Sequence, residues 1–124
     1  MTGAEAAEAV AEYLSGFTYQ WTSEVELQQA IWDVLPVRFL AERERALSSR
    51  DRPDFMVNVH GLSVAIEVKV AGARNAVLRQ LGRYAEHDTV DAIVLASGRR
   101  VLAAAIPEII HTKPVLAIHL GGCL

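Results

Sequence analysis

One cysteine, Cys123, stands in a chain of 124 residues. A single thiol excludes an internal disulfide, and it matches no zinc or nucleophile pattern. The four histidines, His60, His87, His111 and His119, are scattered without ligand spacing and read as ordinary residues, His60 in a turn. No apolar run is long enough to span a bilayer, and no basic leader with an apolar segment opens the sequence. The expectation is a soluble, cytoplasmic protein without a membrane partner. Lysine is scarce: Lys69 and Lys113 stand against ten arginines. Positive charge is also short overall, with a net charge of −3, which excludes a strongly basic nucleic-acid coat. The deficit is local, however. Residues 1–12 hold Glu5, Glu8 and Glu12 with no base, whereas residues 38–100 hold eleven Lys or Arg against eight Asp or Glu. What the chain does have is apolar material, 52% of its residues, enough for one compact domain over residues 1–124.

Periodicity places the chemistry. From 62 to 70 the even positions Leu62, Val64, Ile66, Val68 and Val70 are apolar, and Ser63, Ala65, Glu67 and Lys69 share the opposite face. Upstream, Phe55, Val57 and Val59 alternate with Asp54, Met56, Asn58 and His60. Two such runs meeting at His60-Gly61, where Gly supplies a positive φ, predict an antiparallel hairpin. With that turn Val59 faces Leu62, Val57 faces Val64 and Phe55 faces Ile66. Asp54 then falls opposite Glu67. Like charges at that separation, about 5 Å between Cβ atoms, repel unless something neutralises them. A hard cation would do so, since Mg²⁺ takes one or two carboxylates and fills its other positions with water and phosphate. Lys69 points to the same side, where an ammonium suits an attacking water or a phosphate oxygen. The bland alternative for these residues is a strand-end ion pair on a solvated sheet face.

The whole pattern, Pro53-Asp54, twelve residues, then Glu67-Val68-Lys69, resembles the signature of the PD-(D/E)XK nuclease superfamily. The resemblance implies that Asp54 and Glu67 are metal ligands for Mg²⁺ or Mn²⁺ and that Lys69 is a catalytic lysine. It extends over residues 22–97, which look like that superfamily's α/β fold: a restriction endonuclease-like αβββαβ core with a mixed central sheet flanked by helices. Ser23-Glu24-Val25-Glu26 reads as a capping box, Ser23 as N-cap and Glu26 reaching back to its N–H. The helix it opens has Leu27, Ile31, Val34 and Leu35 as its apolar stripe, and Pro36 is expected to end it. Superfamily members commonly add a first-helix glutamate to the metal site, a place Glu24 fits better than Glu26. Both glutamates are equally explained by a helix dipole.

The other elements follow. Residues 37–47 are a plausible strand, 47–52 a polar loop, 75–86 a helix with Val77, Leu78, Leu81, Tyr84 and Ala85 inward, and 90–97 a buried strand. Gln80 borders the inward stripe. In nucleases similar to archaeal-type Holliday junction resolvases and virus-type replication-repair nucleases, a glutamine on this helix lies near the active site, which implies a catalytic part for Gln80, orienting water or touching the scissile phosphate; bonding a neighbouring backbone group is the other reading. Arg43, Arg45, Arg50 and Arg52 cluster before and within the loop, and Arg79 and Arg83 are expected to face solvent as a second phosphate patch. Each is also an ordinary solvated side chain. A short N-terminal helix over 4–14, a linker 15–22 whose Phe17, Tyr19 and Trp21 pack on the core or on a second subunit, and a C-terminal helix (101–110) and strand (114–120) after a Thr112-Lys113-Pro114 turn complete the chain.

The resemblance implies a metal-dependent DNA nuclease. The small size and the absence of a sequence-reading module favour structure selectivity, as in a Holliday junction resolvase acting on branched DNA as a homodimer. A restriction, recombination or repair nuclease on the same core is the next reading, and a non-catalytic nucleic-acid-binding or assembly module is the rival from another class.

Overall fold

The computed structural model describes residues 1–122, so Cys123 lies outside the described residues. In chain order these hold α1 (Gly3–Ser15), α2 (Glu24–Arg38), β1 (Leu40–Arg43), β2 (Phe55–Val59), β3 (Leu62–Lys69), α3 (Arg74–Ala85), β4 (Ala92–Ser97), α4 (Arg100–Ala104), β5 (Ile109–Ile110) and β6 (Lys113–His119). The class is α/β, with a six-stranded mixed sheet in the order β1-β2-β3-β4-β6-β5. β2 runs antiparallel to both its neighbours, β1 and β3; β3, β4 and β6 are parallel, and β5 is antiparallel to β6.

The β2–β3 hairpin has the register that alternation predicts: Phe55 opposite Ile66, Val57 opposite Val64 and Val59 opposite Leu62. Its turn places both His60 (φ 52°) and Gly61 (φ 87°) in the left-handed region. Asn58 Oδ1 accepts from the Gly61 N–H at 3.0 Å and closes it. Both faces of the sheet are covered, which leaves no solvated sheet face of the kind the ion-pair alternative assumed. Val64, Ile66 and Val68 pack with Leu27, Ile31 and Leu35 of α2 and with Val10 and Leu14 of α1. Ala65 and Met56 pack on the other side with Val77, Leu81 and Tyr84 of α3.

Several boundaries move. Pro36 does not end α2, which continues to Arg38 with the Phe39 N–H donating to Leu35 O. The N–H that proline lacks would have bonded the Trp32 carbonyl four residues back, so one bond of the preceding turn is forfeited while the Phe39 N–H still closes on Leu35 O. Ser23 Oγ accepts from the Glu26 N–H as an N-cap should, but the Glu26 carboxylate takes the Thr22 N–H at 2.8 Å instead of closing the box on Ser23. A complete capping box occurs at Thr2 and Glu5, on α1. The strand expected over 37–47 shrinks to Leu40–Arg43, since Val37 belongs to the helix and Glu44 turns to φ 49° with its N–H on Asp54 O. The C-terminal helix expected over 101–110 is only α4; Ile109 and Ile110 form β5 instead, and the following turn is His111-Thr112, both at positive φ. In the linker, Tyr19 is buried with its hydroxyl donating to Leu14 O, and Trp21 Nε1 donates to Leu120 O at 3.2 Å, so both pack on the core.

Candidate active site

The hairpin register brings two carboxylates together at the end of β3. Asp54 immediately precedes β2, and its backbone N–H donates to Glu67 Oε1 at 3.3 Å. Asp54 Oδ2 in turn accepts from the Val68 N–H at 2.7 Å, one residue beyond Glu67. Each carboxylate is therefore fixed by the backbone beside the other. Glu67 is only 3% exposed. Burial first, and the Asp54 carboxylate second, push its pKa up to about 7, against the opposing pull of Lys69. Asp54 is raised too, chiefly by burial, although the Val68 N–H and the Lys69 ammonium favour its charged form. Lys69 Nζ lies 3.4 Å from Glu67 Oε2, and the lysine side chain keeps 23% of its surface open.

Helix α2 supplies the next layer. Glu24 is half-buried, and its Oε1 accepts from the Val70 N–H at 3.2 Å; it is close enough to Asp54 to disfavour that residue's ionisation. Glu26 is exposed and bonded to Thr22, away from the pair. Sequence reasoning missed Gln28, whose Nε2 donates to Asp54 Oδ1 at 3.2 Å. Its position four residues after Glu24 was the available signal, since such residues share a helix face.

Helix α3 closes the opposite side. Tyr84 is buried as expected, but its hydroxyl donates to Glu67 Oε1 at 3.0 Å, with Arg52 O also within reach at 3.3 Å. Gln80 Nε2 donates to that hydroxyl at 2.9 Å, so the glutamine's first contact is a side chain one turn away on its own helix. Burial and the neighbouring Glu67 carboxylate raise the tyrosine pKa well above its usual value. The i, i+4 spacing of Gln80 and Tyr84 signals the pair; the distant carboxylate it serves carries no sequence signal.

The arginines divide. Arg43, Arg45, Arg50, Arg52 and Arg79 are exposed. Arg83 is not the solvent-facing side chain expected, because its Nε donates to Asp51 Oδ1 at 2.9 Å. Nor is His87 an ordinary residue: its Nε2 lies 2.8 Å from Asp51 Oδ2. Asp51, 5% exposed, is thus a buried junction between the 47–52 loop and α3, and His87 and Arg83 hold its carboxyl below the usual range. Arg50 reaches the same carboxylate only at 3.8 Å, through an exposed side chain.

Comparison with protein-family models, with curated proteins and with solved structures gives no match. The donor set at the pair is all oxygen, which suits a hard divalent cation. Among the described residues no group of three or more His, Cys, Asp or Glu side chains is arranged to hold a metal ion. Two carboxylates are as many as Mg²⁺ usually takes from a protein, its other positions being filled by water and substrate.

Proposed function

We propose that this chain is a metal-dependent nuclease of PD-(D/E)XK type that hydrolyses DNA phosphodiester bonds. The observation that carries the reading is the convergence of Asp54, Glu67 and Lys69 at one end of β3, with two carboxylates of raised pKa and a partly open lysine. The element order from α2 to β4, helix, three strands, helix, strand, supports a restriction endonuclease-like core. When bound, Mg²⁺ or Mn²⁺ would polarise a phosphoryl oxygen and lower the pKa of a water. Asp54 and Glu67 would hold the ion. Burial and mutual repulsion make their ionised forms unfavourable without a cation, so the site gains most from a divalent charge. Lys69 Nζ stands where it can fix a water or a phosphate oxygen beside Glu67. Gln80 and Tyr84 orient Glu67 from behind, leaving Oε2 as the oxygen that faces Lys69.

The test is cleavage of labelled four-way junction, duplex and single-stranded DNA with Mg²⁺, Mn²⁺ or EDTA. Lys69→Ala is expected to lower the rate at least about 100-fold while keeping fold and DNA affinity, in line with other charge-stabilising groups. Asp54→Ala should abolish metal-dependent cutting. Symmetric incision of the junction selects a homodimeric resolvase. If no substrate is cut and no metal binds, the reading fails and a non-catalytic nucleic-acid module takes its place.

A further inference from the structure

Helix α2 carries Glu24, Gln28 and Trp32 on one stripe, each step of four residues rising about 6 Å along the axis. The first two touch the site, Glu24 at the Val70 N–H and Gln28 at Asp54. The third is half-buried and stacks on Phe55, the ring planes 3° apart and the centroids separated by 5.9 Å. Phe55 follows Asp54 directly. Across the β1–β2 ladder it opposes Arg43, whose guanidinium carbon lies 5.4 Å from the centre of the Trp32 ring and 5.9 Å from that of Phe55. Arg43 Nη1 also reaches Gln29 Oε1 at 3.5 Å. The arginine is exposed, and among the described residues no carboxylate pairs with it.

A phosphate contact needs only charge, and the exposed Arg50, Arg52 and Arg79 already offer that. Arg43 differs from them in being laid over an aromatic pair. A guanidinium held over indole keeps a planar face, and unpaired nucleobases stack on aromatic rings and on arginine planes. Inside a duplex both faces of a base are covered by its neighbours, so such a layer takes a base only after it has left the stack. The layer begins one helical turn from the residue that touches Asp54, which is the reach of a neighbouring nucleotide. Resting on the nuclease reading above, we infer that Trp32 and Arg43 form a stacking place for an unpaired nucleobase beside the scissile phosphate. The substrate is then DNA that is single-stranded or frayed at the cut, rather than uninterrupted duplex.

The experiment uses single-stranded oligonucleotides in which one abasic site is walked past the cleavage position, with matched duplexes. Cleavage is read with Mn²⁺ and affinity in EDTA, for wild type, Arg43→Ala and Arg43→Lys. Arg43 is exposed, so neither variant threatens the core. Stacking of one base predicts that an abasic site at one position weakens wild-type affinity about 5- to 150-fold and leaves Arg43→Ala indifferent to it. Arg43→Lys, which keeps the charge and loses the plane, should behave like Arg43→Ala. A flat abasic scan, full rescue by lysine, or equal loss on duplex and single strand overturns the stacking place. Cleavage with a flat scan would sink this inference alone. Absence of cleavage on every DNA sinks the nuclease reading, and the abasic pattern in EDTA then decides the stacking place by itself.

Discussion

The two oxygens of Glu67 face different groups, and that division is set from α3. Oε1 accepts from the Tyr84 hydroxyl and the Asp54 N–H, whereas Oε2 looks toward Lys69. Tyr84→Phe keeps the ring in the core and removes only the hydroxyl, leaving the Gln80 amide without that partner and Glu67 Oε1 with the Asp54 N–H alone. Urea unfolding should show a loss of about 1–3 kcal/mol, the usual consequence of stranding buried polar groups. Because the lost bond favoured the ionised carboxyl, the Glu67 pKa should rise above its already elevated value. Carbon-detected NMR of the carboxyl in EDTA reads that shift directly, and a pKa that stays or falls would mean the hydroxyl does not govern Glu67. The meeting of Asp54, Glu67 and Lys69 is legible in the sequence because three apolar pairs fix one register. The contacts of Gln28, Asp51 and the Tyr84 hydroxyl are not, since periodicity tells which face a residue takes and never which distant polar atom closes on it.

At the level of elements, alternation of period two over a long run makes the β2–β3 hairpin readable, whereas β1 is too short and mixed to display a period. Its end is decided instead by a long-range bond, Glu44 N–H to Asp54 O, that no local pattern announces. The end of α2 misleads for a related reason: a proline acts on the turn before it, through the N–H it lacks and its clash with the carbonyl four residues back, so it need not end a helix at its own position, and here two residues follow it. Gly98 shows another contact hidden from sequence. It begins the turn after β4, its N–H donates to Lys69 O at 2.8 Å, and a Cβ there would lie 2.5 Å from Trp21 Cη2. Trp21 cannot move freely because its Nε1 donates to Leu120 O. Gly98→Ala should therefore destabilise by about 1–3 kcal/mol, as overpacking does. Thermal unfolding measures that loss, and a red-shifted tryptophan emission would report the displaced ring. Unchanged stability would mean that the linker yields to the methyl group without strain.

For the whole molecule, the central strand β3 feeds the cores on both faces and also carries the site, so folding stability and site ionisation are linked. Two buried acidic centres act in opposite directions. Asp51 is held below its ordinary pKa by His87 and Arg83, so its contribution is present above about pH 4 and disappears as the pH falls through its depressed value. Glu67 and Asp54 are held above theirs. Between its ordinary value of 4.5 and its folded value of about 7, Glu67 keeps in the folded state a proton that the unfolded chain has released. Its contribution is full below pH 4.5 and is lost as the pH rises through 7, and Asp54 adds in the same direction. Denaturation midpoints in EDTA should therefore pass through a maximum on the acid side of neutrality. Glu67→Gln should flatten the alkaline limb by a few kcal/mol, and Asp51→Asn should flatten the acid limb while lowering the maximum. On the nuclease reading, Mg²⁺ restores stability at pH 8 in wild type and not in Glu67→Gln or Asp54→Asn, because binding to the folded state alone stabilises in proportion to the logarithm of free metal over Kd. An alkaline limb that persists in Glu67→Gln would place the ionisation penalty elsewhere. A Mg²⁺ effect equal in all three proteins would mean that the cation acts on the surface and not at the carboxylate pair.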